Sequence, residues 1–251
     1  MAGATVLDGT IGGLEAPIKR RPPDVGRKFD ADGRVRPFAG NTILWHLPQQ
    51  GPDAAAFDAI LDIYREVQSL GFARKITCTP PSSYHVTLFV GANDQERVPG
   101  RWPADLPLDC PMETCDRLLG DRLRQMRLEQ APPFLLRVDM SEPALDAGPI
   151  TIRLLPQDEA EDRRLRTLRD ELSRRLRIRQ TNHDDYFFHL TVAYQIDWLT
   201  AEEQAEHLAA LRRWKEAIQR RSPVIALGSP EYCILDDMFA FHRQFYLAHE
   251  P

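Results

Sequence analysis

One short pattern occurs twice in this chain, as Tyr84-His85-Val86-Thr87-Leu88-Phe89 and as Phe188-His189-Leu190-Thr191-Val192-Ala193-Tyr194. Each copy is an aromatic residue, a histidine, an apolar residue, a threonine and an apolar run. β-Branched and aromatic residues dominate both copies, so both read as strands. Alternate side chains of a strand share a face. His85 and Thr87 therefore lie on one face and Val86 and Leu88 on the other, and His189 and Thr191 are separated from Leu190 and Val192 in the same way. The outer face of a half-buried strand normally carries dispensable polar residues. Here it carries an imidazole and a hydroxyl, twice, at a spacing of 189 − 85 = 104 residues. That spacing suits two halves of one duplicated domain, with two imidazoles and two hydroxyls converging on a single cleft to move protons around a phosphate.

The remaining pattern predicts an α+β fold. Residues 1–39, rich in Gly, Pro and charge, read as an extended N-terminal arm, and 40–251 as a single bilobal domain. Strands are expected at 41–47, 72–77 and 84–90, with a helix between the first two whose stripe is Phe57, Ile60, Leu61, Tyr64, Val67 and Leu70, capped by Asp53 and closed by Gly71. Residues 91–111 read as loop, and Thr114 as the cap of a helix carrying Leu118, Leu119, Leu123 and Met126. Strands at 134–140 and 150–155 follow, joined by a Pro/Gly turn. Then come a helix over 157–178, the second motif strand at 186–194, a helix over 201–220 capped by Thr200, and strands at 224–227, 232–235 and 239–248. The expected architecture is a two-lobed duplicated fold, two antiparallel sheets facing a central cleft with helices packed outside.

Composition narrows the partners. A net charge of −5 argues against a long nucleic acid, whose binding is dominated by phosphate contacts with a basic surface. A nucleotide, a short RNA end or another small phosphodiester fits better. The arginines between Arg163 and Arg179 have acidic partners at i,i+3 and i,i+4 spacing and read as a solvated helix face. No run approaches the roughly 18 apolar residues of a membrane helix, and residues 1–13 do not read as a secretory signal. Cys78, Cys110, Cys115 and Cys233 lack a zinc spacing and read as reduced thiols of a cytoplasmic protein. Oligomeric state is left open.

The paired His-x-Thr motifs resemble those of the two-histidine (2H) phosphoesterase superfamily, which includes RNA 2',3'-cyclic phosphodiesterases and 2'-5' RNA ligases. The segments Gly26-Arg27-Lys28-Phe29-Asp30, Asn41-Thr42-Ile43-Leu44-Trp45-His46 and Pro81-Ser82-Ser83-Tyr84 look most like a stand-alone 2H phosphodiesterase branch of unsettled substrate. The resemblance runs from about residue 26 to the C-terminus. It implies a bilobal α+β fold, a central cleft and chemistry without a metal or other cofactor.

On that resemblance the expected reaction is hydrolysis of a cyclic phosphate or phosphodiester of a nucleotide or RNA end. One imidazole removes a proton from water and the other delivers one to the departing oxygen, since a side chain with a pKa near 6.5 serves in either role. His85 and His189 are the candidate acid and base, in an order the sequence leaves open. Thr87 and Thr191 are the candidate donors to the phosphoryl oxygens. Lys28, beside Arg27, is a candidate phosphate contact. Trp45, Tyr186, Phe241 and Tyr246 are candidates for stacking on a base, and His183 for the cleft mouth. Tyr194, of opposite parity to His189, reads as structural. A metal-dependent hydrolase, a non-catalytic binder of cyclic phosphates and a 2'-5' RNA ligase activity are the alternatives.

Overall fold

The chain alternates short apolar strands with four amphipathic helices, and the computed structural model turns these into β1 (Gly40–His46), α1 (Ala55–Val67), β2 (Ile76–Cys78), β3 (His85–Asn93), α2 (Met112–Arg124), β4 (Phe134–Val138), β5 (Pro149–Pro156), α3 (Glu159–Leu176), β6 (Phe188–Gln195), α4 (Ala201–Arg221), β7 (Ile225–Leu227), β8 (Glu231–Leu235) and β9 (Phe241–Tyr246). The structure describes residues 21–143 and 148–249. Residues 1–20 of the expected arm and part of the expected turn before β5 lie outside them.

Local chemistry sets most boundaries. The Asp158 carboxylate accepts from the Glu161 N–H at the start of α3, and Thr200 and Glu203 form a reciprocal capping box on α4. Two expected caps are corrected. Asp53 lies inside a 3-10 turn, Pro52–Ala54, that leads into α1 without a side-chain cap. Thr114 lies within the first turn of α2, because Pro111 already supplies the fixed φ that starts the helix. The strand expected at 72–77 is a 3-10 turn, Ala73–Lys75, followed by β2, and Phe72 is buried in the core.

Nine strands form one antiparallel sheet in the order β7-β4-β5-β6-β3-β1-β8-β9, with β2 also paired to β6. The expectation of two separate sheets is therefore corrected. Nor do the strands sort by half: β8 and β9 lie beside β1, and β2 pairs with β6, while the motif strands β3 and β6 meet through a bridge at Val86–Leu190. Two strands with an apolar residue between His and Thr can share a buried face, and Val86 and Leu190 are 0% and 1% exposed. Helices α3 and α4 pack on β3, β4 and β5, α1 on α4, and α2 on β1 and β8. Their buried leucines, among them Leu165, Leu168, Leu172 and Leu176 of α3, complete one continuous core, each contributing roughly 1.5–3 kcal/mol.

A second, smaller apolar cluster joins residues 22–39 to the sheet. Phe29 and Phe38 pack with Tyr194, Ile196, Leu235 and Met238. Successive turns hold this segment: the Phe29 N–H donates to the Asp24 carbonyl, the Arg36 N–H to the Lys28 carbonyl and the Phe38 N–H to the Asp236 carbonyl.

Candidate active site

The junction between β3 and β6 places the two motifs beside each other. Their antiparallel register is centred on Val86–Leu190. Continued one residue each way, it sets His85 across from Thr191 and Thr87 across from His189. The four polar side chains are half-buried while their apolar neighbours are buried, as strand alternation requires. All four line one cleft of about 300 Å³.

Both strands leave regular alternation at the same point. Ile43 lies opposite Phe89 and Leu44 opposite Thr87, so Leu88 is an extra residue in β3. Thr151 lies opposite Thr191 and Ile150 opposite Ala193, so Val192 is an extra residue in β6. Each motif threonine is thus followed directly by a β-bulge, which reverses the parity of the residues beyond it. Val90 and Tyr194, each five residues beyond its histidine, consequently line the cleft. The structural assignment of Tyr194 is corrected accordingly: its hydroxyl donates to the Met238 Sδ at 3.5 Å, but its ring is part of the cleft wall.

The two imidazoles are held alike. His85 Nδ1 lies 2.6 Å from the Ser83 carbonyl, and His189 Nδ1 lies 3.3 Å from the Phe187 carbonyl. A carbonyl only accepts, so each Nδ1 carries the proton and donates it to the main chain two residues upstream, leaving Nε2 for the cleft. Burial lowers the His85 pKa to about 4 against the pull of the Ser83 carbonyl, with His46 and His189 adding to the lowering. Burial also lowers His189, and the Lys28 charge acts in the same direction.

Lys28 lies where the sequence places it, on the cleft wall, with Nζ 4.8 Å from the centre of the Tyr194 ring and 3.3 Å from Asp24. Tyr186 also lines the cleft; it is buried and its hydroxyl donates to the Thr87 carbonyl at 3.2 Å. The Arg169 guanidinium stacks on that ring at 3.9 Å and donates to the Leu88 and His183 carbonyls. Arg169 is 3% exposed, so it departs from the solvated helix face; Arg163, Arg164, Arg166 and Arg175 pair with Glu159, Glu161, Asp162 and Glu171 as their spacing predicts. Phe241 reaches the cleft, its ring 4.3 Å from that of His85. Sequence reasoning missed Arg101, Asn93 and Gln180, which also line the cleft from loops or strand ends. None of the three stands in a motif, so no local signal marked them.

Three candidates lie elsewhere. Trp45 pairs with Val86, hence on the core side of β1, and is 1% exposed with its indole N–H donated to the Gly228 carbonyl. Tyr246 ends the edge strand β9 in a separate recess of about 480 Å³, beside His46, Glu231 and Arg243. His183 is 4% exposed with Nε2 2.9 Å from Asp170, tying its loop to α3; it is the neighbouring Asn182 that lines the cleft. Among the described residues, two sets of side chains bring three possible metal ligands within 4.8 Å of one another, His46-Glu231-Cys233 and Asp170-His183-Asp184. The first also holds Arg243, 3.6 Å from Glu231. All four cysteines are free thiols, and no helix among the described residues is long and apolar enough to cross a membrane.

Comparison with known proteins gives this geometry a context. No curated protein matches the chain. The crystal structure of ATU0111, a conserved protein of unknown function from Agrobacterium tumefaciens, is similar over 92% of this chain and 94% of that one, at 26% identity and a TM-score of 0.82. TT0787 of Thermus thermophilus covers 84% of this chain and 99% of its own at 18% identity, but its TM-score of 0.40 is too low to carry an argument. Residues 28–145 match the model of the 2H-phosphodiest family, a domain of unknown function (DUF1868), a span that includes His85 and Thr87 and ends before the second motif. That match places residues 28–145 of the chain in the 2H phosphoesterase superfamily.

Proposed function

We propose that this phosphoesterase-family protein hydrolyses a cyclic phosphate or phosphodiester of a nucleotide or short RNA end, of the 2',3'-cyclic phosphodiesterase type, with His85 and His189 as its acid–base pair. One observation carries the reading: two imidazoles in one cleft each give Nδ1 to their own main chain and keep Nε2 for a ligand. His85, which burial lowers to about 4, is assigned as the general base, because it enters the reaction neutral. His189 is the general acid. It is lowered as well, and an anionic phosphodiester seated against it favours its charged form. His85 Nε2 takes a proton from water as the water oxygen bonds to phosphorus. The bond from phosphorus to the departing ribose oxygen breaks, and His189 supplies that oxygen with its proton. Thr87 and Thr191 donate to the non-bridging oxygens, where negative charge grows. Lys28, near His189 and on the same wall, offsets the charge of the phosphate.

The test is turnover of nucleoside 2',3'-cyclic phosphates and linear 2'-5' and 3'-5' dinucleotides in the presence of excess chelator. Replacing either His85 or His189 by Ala is expected to cost about 10²–10⁴-fold in kcat with the melting temperature retained. Near-wild-type turnover by either variant overturns the assignment. Loss of activity in chelator restores the metal-dependent class, and tight binding without product restores the binding module.

A further inference from the structure

We propose that the cleft carries a second anion-binding pole, built from Arg27 and Arg101 around Glu96, that takes a second phosphate of the substrate. The proposal rests on the phosphodiesterase reading and adds to it the substrate class, a nucleotide bearing two separate phosphoryl groups.

The first observation is charge. The Lys, Arg, Asp and Glu side chains lining the cleft are Arg27, Lys28, Arg101 and Glu96, three cations to one carboxylate, in a chain of net charge −5. Glu96 is shared. Its Oε1 accepts from Arg27 at 2.5 Å, and its Oε2 accepts from Arg101 at 2.5 Å and from Asn93 at 3.3 Å. Arg27 has a second carboxylate in Asp24, at 3.2 Å. Asp24, which also pairs with Lys28, and Glu96 together offset two of the three cations and leave one net positive charge (3 − 2) on this side of the cleft, and a guanidinium with five N–H donors can hold Glu96 and a phosphate together.

The second observation is position. Lys28 acts on His189. Lys28 Nζ and Arg27 Cζ both lie near the Phe38 ring, 5.8 Å and 5.4 Å from its centre. Glu96 and then Arg101 follow Arg27. One cleft therefore holds the histidines, an aromatic ring and a second cationic group. That set of chemistries suits a phosphate, an apolar or planar body and another phosphate.

The third observation is that both arginines are presented from fixed backbone. Gly100 has φ +84, and a Cβ there would meet the Arg179 carbonyl oxygen at 2.8 Å, so this turn requires glycine. Trp102 on the other side of Arg101 is 1% exposed, with its indole N–H donated to the Pro107 carbonyl. Arg27 follows Gly26, at φ +85, in a turn whose N–H bonds to the Phe29 carbonyl at 2.7 Å, and Phe29 is fully buried against Tyr194.

The experiment compares ligands that differ by one phosphate. Affinities of the full chain for adenosine 3',5'-bisphosphate and adenosine 3'-monophosphate are measured by calorimetry. In parallel, kcat/KM is measured for adenosine 2',3'-cyclic phosphate with and without a 5'-phosphate. A charge-assisted contact predicts a preference of at least about tenfold for the doubly phosphorylated member of each pair. Arg101→Gln is expected to bring that ratio close to one, and Arg101→Lys to keep part of it. Equal affinities in the wild type, no binding of either ligand, or an Arg101→Gln variant that weakens both ligands in proportion (as expected of a purely structural staple) would overturn the second pole. The two claims fail separately. Turnover of both cyclic phosphates without preference removes the second pole and keeps the hydrolase. A bisphosphate preference with no turnover keeps the pole and removes the hydrolase.

Discussion

Each motif histidine is committed to one tautomer by its own backbone. The Ser83 and Phe187 carbonyls have no proton to give, so Nδ1 of His85 and His189 must donate, and the lone pair or exchangeable proton at Nε2 is what the cleft sees. Burial then sets the charge. With His85 at about 4 and His189 below its ordinary value, both favour the neutral ring near neutral pH. In the free protein a base must be deprotonated and an acid protonated, so kcat/KM falls below the pKa of the first and above that of the second. The expected profile is a bell with its maximum on the acid side of neutrality, between about 4 and about 6.5. Initial rates on a cyclic phosphate across pH 3.5 to 9 provide the check. A maximum at pH 8, or a rate rising monotonically through that range, would exclude this pair of protonation states.

At the scale of strands and helices, the site depends on irregularities as much as on pattern. Counting alternate residues correctly puts His85, Thr87, His189 and Thr191 on one face, because Val86 and Leu190 between them are core residues and the strands are regular there. The same count fails beyond each threonine. The extra residues Leu88 and Val192 re-aim Val90 and Tyr194 into the cleft, and nothing in Val86–Val90 or Leu190–Tyr194 signals a bulge. Helix starts were legible where a side chain does the capping, at Thr200, and not where a proline or a 3-10 turn does it. Trp45 was misplaced because its face depends on which strand pairs with β1, a long-range fact. The Arg-rich segment shows the same limit: spacing accounts for the surface ion pairs of α3, while only the fold buries Arg169. That residue fastens α3 to both motif regions through the Leu88 and His183 carbonyls and the Tyr186 ring. Arg169→Ala strands two buried carbonyls and removes the stack, at a cost of roughly 3 kcal/mol. For a domain of this size the melting temperature should fall by roughly 6–12 °C, with weaker binding of substrate as Tyr186 loosens. A loss under about 2 °C in a thermal unfolding experiment would mean that α3 is not fastened there.

For the whole molecule, the buried imidazoles couple folding to pH. His207 of α4 is 3% exposed, neither ring nitrogen has a partner, and its ring packs at 5.3 Å from that of Phe72. Burial lowers it to about 4, as it does His85, and lowers His189 too. Each folded pKa lies below the ordinary value of about 6.5, so between about 6.5 and 4 the unfolded chain binds more protons than the folded one. These groups are neutral in both states above that window and contribute no change there. Stability is lost as pH falls through it, by roughly 3 kcal/mol for His207 alone. Asp116 opposes the trend, since burial raises it to about 6 and favours the folded state as it takes up a proton. Three imidazoles against one such carboxyl leave a net loss. Urea unfolding at pH 7 and at pH 4.5 should therefore give a lower free energy at the acid end, and His207→Leu should flatten the difference, because it removes the proton-binding group and suits the apolar site. The two motif histidines are untouched by that substitution. If the variant keeps the full acid loss, His207 is not where the protons are taken up, and the coupling belongs to the cleft histidines and to carboxylates held low in the folded state, such as Glu96 and Glu203.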